Sequence, residues 1–469
     1  MERFDASLHN AFYSGRYQEL TRLLGQQKTM RNRKLNLQAA DVEPCMQIYP
    51  YALSAWPVII SDERIAEFDD FISRLPALYL KAIKCMFGDD AAAFTRYLLE
   101  PTELHSLLMD TPLDVTQMFN RHDVLYSQGN LKLLEVNSGT TIGGWQPGLV
   151  EIQFRQVLKE FPATADWDLH HRSVMDNLFK IVYAQMQRLN PAADNLNILL
   201  LLMLSDEERH LAAEWCSLLE LIFQRAIGSF PKCGKLVLFT DLERVEFPES
   251  GEVRFDGQQF DAILLPAPQY LTAHETVLKQ LTRAHCARRI VMPDCELYTV
   301  FGNKMLMALL HEPALEPHLS AHELDFIARH IPFTTPMQEK TLRWGGKESL
   351  LSDLLSSCKQ DFVIKKSHSM QGRDVYVGKF IEQAEWDAII QRHLGVEDWL
   401  AQQYCQADLA LAVDASGELN THAFIWGIFD GGARYSGAFV RGMATGPGNG
   451  VINSATGAVE FSVFEEVAA

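Results

Sequence analysis

The amino-acid sequence predicts an α/β fold, and three patterns in the chain support that prediction. Apolar runs alternate with segments of helical spacing between residues 191 and 300, which is typical of a mostly parallel sheet covered by helices. Two further apolar runs flank a Ser-Gln-Gly-Asn turn at residues 127–130, which is a hairpin signal. A second series of strands and helices begins after residue 336. With 469 residues, the chain is too long for one simple core, so we expect two or three domains or subdomains.

The N-terminal part, residues 1–110, is expected to be mostly helical. Residues 57–60 predict a short strand, and Ser61 followed by Asp62 and Glu63 predicts the start of a helix. Apolar residues at helical spacing extend this helix, and more helix is expected to about residue 110. No side chain here points to a chemical function, so we interpret the region as a structural layer beside the hairpin.

Polar side chains interrupt the two hairpin strands, where a plain sheet would carry Val or Leu. Glu135 and Asn137 are two positions apart and therefore share one face of the second strand. A three-residue loop, residues 128–130, would place Asp123 opposite Glu135 and Arg121 opposite Asn137. A two- or four-residue loop would turn Asp123 to the other face. Two carboxylates and an amide oxygen on one face suit magnesium, and the alternative is a hairpin with a solvated polar face.

Residues 111–190 are expected to contain this hairpin and two helices, and residues 191–300 a three-layer α/β domain on the substrate side. The strands of that domain are predicted at residues 197–204, 235–240, 260–265 and 288–292. Ser205-Asp-Glu-Glu208 is a capping box for a helix that ends near Gly228. The carboxyl ends of such strands can hold a substrate. No GxGxxG motif follows the first strand, so a dinucleotide site is not indicated.

Composition argues against several kinds of partner. There are 42 Lys and Arg residues against 60 Asp and Glu, a net charge of -18, so a nucleic-acid surface is not expected. The longest apolar run, residues 198–204, is far shorter than the roughly 20 residues of a membrane-spanning helix. The N-terminus lacks a signal-peptide pattern, and the eight cysteines form no CxxC pair. We therefore expect a cytoplasmic protein without a membrane or nucleic-acid partner.

Residues 301–469 contain the side chains that a triphosphate site requires. Lys304, Lys365 and Arg441 supply cations, and the polar loop from Ser367 to Arg373 can cover phosphates. Each feature alone has a plainer interpretation, since a lysine at a strand end is commonly a surface residue. No GxxxxGK[ST] motif, kinase HRD or DFG set, GxSxG elbow or HExxH motif is present, so those nucleotide and hydrolase classes are not indicated.

Arg121-x-Asp123, followed by Leu131-Lys-Leu-Leu-Glu135-x-Asn137, resembles the RxD…LKLLExN signature of circularly permuted ATP-grasp ligases. The likeness is greatest to the synthetase half of glutathionylspermidine synthases. It implies that Asp123, Glu135 and Asn137 hold magnesium and that Arg121 contacts the transferring phosphoryl group. The metal hairpin precedes both lysines, the reverse of the unpermuted order. The resemblance therefore implies a circularly permuted ATP-grasp fold with residues 191–300 as an inserted, pre-ATP-grasp-like domain.

Other stretches extend the resemblance to an ATP site. Asn303-Lys304 is similar to the family's NKA stretch, and Val363-Ile-Lys365 to its VKP strand; both lysines are implied to bind ATP. Tyr435 to Arg441 resembles the YxGxxxR stretch, which implies a second phosphate-contacting arginine. The remaining implied ATP contacts are in the flap and the adenine hinge: Ser367, Gly372, Gln402, Gln403 and Tyr404. Lys366 replaces the family's proline, and the flap is longer than the family's.

The continuation past the metal strand also departs from the family, because Ser138-Gly139-Thr140-Thr141 replaces its NADTPT stretch. Ser138, Thr140, Thr141 and Gln146 are the candidates for substrate contact, with packing and turn structure as the alternative. The resemblance implies an ATP- and Mg²⁺-dependent carboxylate–amine ligase, acting through an acyl phosphate on small substrates such as amino acids or a small peptide. The alternative function is a catalytically degenerate ATP-binding regulator or partner-binding protein, which Lys366 and the unusual flap favour.

Overall fold

The computed structural model describes residues 6–99, 113–140, 142–202, 210, 212–228, 230, 232–265, 274–368, 374–445 and 450–466. Its strands are β1 (Val58–Ile60), β2 (Phe119–Ser127), β3 (Asn130–Ser138), β4 (Leu169–His170), β5 (Asn195–Leu201), β6 (Cys233–Phe239), β7 (Val245–Glu246), β8 (Val253–Phe255), β9 (Gln258–Phe260), β10 (Ala262–Leu264), β11 (Thr334–Pro336), β12 (Thr341–Trp344), β13 (Lys347–Leu350), β14 (Phe362–Lys366), β15 (Val375–Val377), β16 (Trp399–Gln403), β17 (Leu409–Val413), β18 (Leu419–Gly431), β19 (Tyr435–Ala444) and β20 (Val459–Glu466).

The helices are α1 (Ala6–Tyr13), α2 (Gly15–Gln26), α3 (Lys28–Arg31), α4 (Pro44–Gln47), α5 (Asp62–Phe87), α6 (Ala91–Leu98), α7 (Glu151–Lys159), α8 (Val174–Leu189), α9 (Ala212–Ile227), α10 (Glu275–Cys286), α11 (Glu296–Thr299), α12 (Met305–Leu309), α13 (Ala321–His330), α14 (Leu351–Ser357) and α15 (Gln383–His393). Helix α5 begins directly after Ser61, as predicted, with two acidic side chains in its first turn. In the part of the chain that the structure describes, no helix combines the length and apolarity needed to span a membrane.

The largest sheet gathers strands from both ends of the chain. Its order is β1-β20-β19-β18-β2-β3, with β17 beside β18 and β4 beside β20. The predicted hairpin, β2–β3, lies at one edge of this sheet, and β18 joins it to β19. Because of this order, Arg441 on β19 lies two strands away from Asp123 on β2, although 318 positions separate them in the sequence.

A three-stranded parallel sheet, β10-β5-β6, forms within residues 191–300 as predicted. Helix α8 packs against β5, and α9 against β6. The predicted fourth strand, residues 288–292, is wrong, because only Val291 pairs with the sheet, through one parallel bridge to Ala262. Arg288 has a φ of 55°, which breaks the extended conformation, and Pro293 follows directly. The predicted capping box at residues 205–208 lies outside the described residues.

An antiparallel sheet, β11-β16-β14-β15, forms the lysine-bearing part of residues 301–469. Helices α14 and α15 cover it, and together they enclose a hydrophobic core of their own around Trp386, Leu355 and Phe362. The β12–β13 hairpin packs against the same core through Leu342 and Trp344, whereas the other sheets share one continuous core, which Leu400 of β16 also joins. The edge strand β15 ends at Val377, and a 3-10 turn follows. The sheet β11-β16-β14-β15 therefore has a core of its own and touches the main core through Leu400.

Candidate active site

The hairpin β2–β3 places its polar side chains together, but not through the loop considered above. Ser127 pairs with Asn130, so the loop has two residues, Gln128 and Gly129. Their φ values, 52° and 72°, are those that a type I′ turn requires. Such a loop alone would turn Asp123 to the other face.

A β-bulge in strand β3 corrects the register. Val124 pairs with Leu133, whereas Asp123 pairs with Glu135, so Leu134 is an extra residue on β3. The bulge supplies the residue that the shorter loop lacks. Asp123 therefore faces Glu135, and Arg121 faces Asn137. The predicted three-residue loop is not formed, yet the strand pairing that it would give is present. One extra residue shifts the register by one position whether it lies in the loop or in the strand, so Asp123 points to the same face in both cases.

Asp123 is the centre of a buried ionic network. Its carboxylate accepts two hydrogen bonds from Arg121, at 2.7 and 3.1 Å, and one from Arg441, at 2.6 Å. Burial alone would raise the pKa of Asp123, but the two arginines more than offset this and hold that pKa well below its usual range. Asp123 is therefore ionised at neutral pH and fixes two guanidinium groups side by side.

The aromatic ring of Phe439 supports both arginines. The guanidinium carbons of Arg121 and Arg441 lie 5.4 and 5.6 Å from its centroid, within the range of a cation–π contact. The ring itself lies over Gly427, where a Cβ atom would come within 2.2 Å of it. Glycine at position 427 thus leaves the space that the Phe439 ring occupies, and so does Gly144, where a Cβ would also come within 2.2 Å of the ring.

Two lysines that are distant in sequence approach the same hairpin. Lys304, which directly precedes α12, places its Nζ 3.1 Å from a carboxylate oxygen of Glu135. Lys365, on β14, donates to the carbonyl oxygen of Leu134 at 2.8 Å and to Oε1 of Gln402 at 2.7 Å. The bulge residue therefore supplies the carbonyl that anchors Lys365. Burial and the nearby charge of Lys304 lower the pKa of Lys365 to about 7, against a raising effect of Glu135.

The candidate adenine hinge is held mainly by hydrogen bonds of its own. The side chain of Gln402 is buried, and its amide nitrogen donates to Thr334 at 3.1 Å. The backbone N–H groups of Gln403 and Tyr404 donate to Phe333 and Asp361, both at 2.7 Å. Ser367 is also buried, and Gly372 lies outside the described residues.

The four substrate candidates have different surroundings. Ser138 follows Asn137 on β3 and therefore points to the opposite face, where its hydroxyl is buried beside Gly302. Gln146 accepts a hydrogen bond from the backbone N–H of Gly144, at 2.8 Å, within its own loop. Thr141 lies outside the described residues. Thr140 is buried and bonds to a carboxylate that we did not predict, that of Asp294.

Asp294 and Asp408 are two of the carboxylates at the hairpin and its continuation that sequence reasoning missed. Asp408 accepts from the backbone N–H groups of Gln128 and Gly129, at 2.9 and 2.8 Å, and so closes the hairpin turn. Asp294 follows the apolar run at residues 290–292, and an acidic residue at such a position was a usable signal. Asp408 stands between two strands with no pattern that would have marked it.

The donor atoms of the hairpin suit magnesium, which takes few protein oxygens and keeps several waters. Glu135 leaves 32% of its side chain exposed, so its carboxylate can turn to a metal. The amide nitrogen of Asn137 is buried without a partner among the described residues; as an N–H donor it suits a phosphate oxygen, whereas the amide oxygen of the same side chain is the atom that could bind magnesium. Both oxygens of Asp123 accept from arginines, but Oδ1 accepts only one of these bonds and keeps a lone pair for a metal. Within the described ranges, no group of three or more acidic, His or Cys side chains forms a metal cluster.

Comparison with known proteins gives a fold but no family. No family model matches the chain, and no curated protein matches it. Among solved structures, the chain is similar to a glutathione synthetase-like effector from Globodera pallida in its apo form. The TM-score is 0.56 with 10% identity, over 96% of this chain and 97% of that one. This likeness is to the fold alone, an ATP-grasp-like mixture of sheets and helices.

A second solved structure matches only weakly. It is the D-alanyl-alanine synthetase A of Vibrio cholerae O1 biovar eltor, at 11% identity and a TM-score of 0.23, over 50% of this chain and 68% of that one. A match of this quality does not support a structural argument. The circular permutation and the likeness to glutathionylspermidine synthases therefore stay predictions.

Proposed function

We propose that this protein is an ATP-dependent carboxylate–amine ligase with a circularly permuted ATP-grasp fold. One observation carries the proposal: Lys304 and Lys365, from beyond residue 300, lie against the acidic hairpin near residue 130. A site of this kind must combine cations for the phosphates with oxygen ligands for magnesium. Here the two sets of groups, far apart in the chain, meet at one hairpin. In this proposal, residues 191–300 are the substrate-side domain.

The charges around the hairpin suit a magnesium–triphosphate complex. Arg121, Arg441 and Lys304 carry three positive charges against the two carboxylates of Asp123 and Glu135, and Lys365, whose pKa is about 7, adds a further charge when it is protonated. Glu460 also interacts with both arginines, and burial raises the pKa of its carboxyl, which favours the neutral form. Positive charge therefore exceeds negative charge among these side chains, which suits an anionic ligand. Asp123 pairs with both arginines, and Glu135 pairs with Lys304. Phosphate oxygens would replace Glu135 as the partner of Lys304, which would free Glu135 to face a metal.

Each residue has a role that follows from its position. Glu135 and Asn137, together with Asp123, would hold magnesium, which when bound neutralises charge on the phosphate oxygens. Arg121 and Arg441, fixed by Asp123, would stabilise the charge of the γ-phosphoryl group during transfer. A substrate carboxylate oxygen attacks the γ-phosphorus and ADP leaves. An amine then attacks the carbonyl carbon of the acyl phosphate, which forms the amide and releases phosphate and a proton.

Nucleotide binding is the first experiment. Titration of the protein with a nonhydrolysable ATP analogue and MgCl₂, followed by calorimetry, should give saturable binding at one site. Lys304→Met and Lys365→Met should each weaken binding about tenfold or more, because each removes a desolvated charge. Lys366→Met is the matched control, since Lys366 is the next residue and half-exposed, paired with Asp398 at 3.1 Å. Equal losses in all three variants, or no binding by the wild type, would overturn the ATP site.

Product analysis separates the ligase from its alternative. The protein is incubated with ATP, MgCl₂ and pairs of amino acids and amines, and the nucleotide products are resolved. ADP release that needs both a carboxylate and an amine supports the ligase, whereas AMP and pyrophosphate would reject the acyl-phosphate route. Tight ATP binding without turnover for any pair would favour a regulatory ATP-binding protein, the function that Lys366 and the long flap motivate.

A further inference from the structure

A buried carboxylate links the end of the metal strand to the parallel sheet. Asp294 is completely buried and accepts three hydrogen bonds. Two come from Thr140, from its backbone N–H at 2.6 Å and its hydroxyl at 2.7 Å. The third comes from the backbone N–H of Leu265 at 2.9 Å. Among the described residues, no ion pair joins Asp294 to a cation, so hydrogen bonds alone compensate for its burial.

These three bonds join two separate parts of the fold. Thr140 lies two residues beyond β3, the strand that carries Glu135 and Asn137. Leu265 directly follows β10, and Asp294 follows the bridge residue Val291 on the next extended segment. Asp294 thus lies at the carboxyl ends of the parallel sheet, the edge where α/β sheets bind ligands.

The contact also restricts the chain leading to Thr140. Gly139 has a φ of 106°, and a Cβ there would lie 2.8 Å from Oδ1 of Asp294. The backbone must therefore pass directly against the carboxylate, which only glycine allows at this position.

We infer that Asp294 is a positioning residue: it ties the chain beyond the metal strand to the parallel sheet and thereby fixes Thr140, where the stretch that we propose to contact the carboxylate substrate begins. The substrate role of this inference rests on the proposed ligase function. The hydrogen-bonded link from Asp294 to Thr140 and Leu265 does not depend on that function. Asp294 contacts no predicted metal ligand directly, so its effect is exerted through Thr140.

The geometry makes Asp294→Asn a specific probe. The N–H groups of Thr140 and Leu265 bond to different oxygens of the carboxylate, Oδ1 and Oδ2. An asparagine has only one acceptor oxygen, so in either orientation its NH₂ group faces one of these backbone donors. The substitution keeps the size of the side chain and breaks one of the two backbone contacts.

Asp261→Asn is the matched control. Asp261 is a buried carboxylate of the same sheet that accepts from the backbone N–H of Asn197 at 3.0 Å. It is not in contact with the 139–140 stretch through any bond of the described residues. A general loss of sheet stability would therefore appear in both variants, whereas loss of the tie would appear only in Asp294→Asn.

Amide hydrogen exchange, read by mass spectrometry on the full chain, tests the tie. Asp294→Asn should speed exchange in peptides that contain Thr140 or Leu265 by about tenfold or more, and Asp261→Asn should leave the Thr140 peptide protected. If Asp294→Asn does not fold, Thr140→Val takes its place, since it removes only the hydroxyl bond and should give a smaller increase. Unchanged exchange at residue 140 in the folded variant would overturn the inference.

Steady-state ADP release tests the positioning role, with a mixture of the standard amino acids as the probe. Asp294→Asn should raise the half-saturating concentration of that mixture at least tenfold and leave the affinity for the magnesium–ATP analogue within twofold. An equal effect on both would show a structural role and reject positioning. If the wild type neither binds the analogue nor releases ADP, the ligase proposal fails, and the exchange experiment still decides the tie.

Discussion

The pKa of Lys365, lowered to about 7 by its burial and by Lys304, predicts that nucleotide binding takes up a proton. A neutral lysine amine still has two N–H donors, enough for its bonds to Leu134 and Gln402. Triphosphate binding favours the charged form, because opposite charge raises the pKa of an amine. The apparent dissociation constant should therefore rise with pH above 7, by about fivefold between pH 7 and 8.

Calorimetry of the magnesium–ATP analogue in buffers of different ionisation enthalpy measures this proton uptake directly. At pH 7 about half a proton should enter per nucleotide bound. The γ-phosphate of the analogue titrates in the same range, so Lys365→Arg is needed to separate the two sources. An arginine stays charged at these pH values, and its variant should lose the contribution of residue 365. An identical proton uptake and pH slope in wild type and Lys365→Arg would refute the reasoning.

The same pKa shift affects the stability of the ligand-free protein with a defined sign. An unfolded lysine titrates near 10.4, so between about pH 7 and pH 10 the unfolded chain binds more protons than the folded chain. The contribution of Lys365 to the free energy of unfolding therefore rises with pH across that window. Below pH 7 both states carry the proton, and Lys365 no longer changes the pH dependence.

Three substitutions test the structure around the site. Asp123→Asn leaves two buried guanidinium groups without their carboxylate, so denaturant unfolding should show a loss of about 3–5 kcal/mol; a loss below 1 kcal/mol would contradict the buried network. Gly427→Ala pushes a methyl group into Phe439, and we expect a lower melting temperature and at least tenfold slower turnover. Unchanged turnover would show that the Phe439 ring does not support the arginines. Asp408→Ala removes the carboxylate that accepts hydrogen bonds from the hairpin turn. The free energy of unfolding should fall by about 1–2 kcal/mol, and the affinity for the ATP analogue should not change. A large loss of affinity would show that the turn itself belongs to the site.

The hairpin shows how far sequence reasoning reaches. Side-chain alternation puts Glu135 and Asn137 on one face of β3, whatever their partner strand is. Whether Asp123 joins them depends on the sum of loop length and bulges, and the sequence does not show a bulge at Leu134. The two-residue loop and the bulge each reverse the facing of Asp123, and only the paired strands reveal that the two effects cancel.

Other differences have equally local causes. The run at residues 288–292 has the composition of a strand, but the left-handed backbone of Arg288 and the following proline leave a single bridge. Ser138 neighbours a candidate metal ligand in sequence, yet alternation along β3 directs it away from that face. Asp294 and Asp408 were missed because each acts on backbone N–H groups of a distant segment, and such contacts have no periodic pattern.

The sequence by itself indicated most of the helices and strands around the site and all of the chemical groups that are available, because hydrophobic periodicity and side-chain chemistry are local properties of the chain. Only the tertiary structure decided which of those groups meet. The large sheet brings Arg441 to Asp123, and the packing of the second sheet brings Lys365 to the carbonyl of Leu134. Such contacts depend on strand order and on how two sheets pack, and neither is encoded in any single stretch of residues.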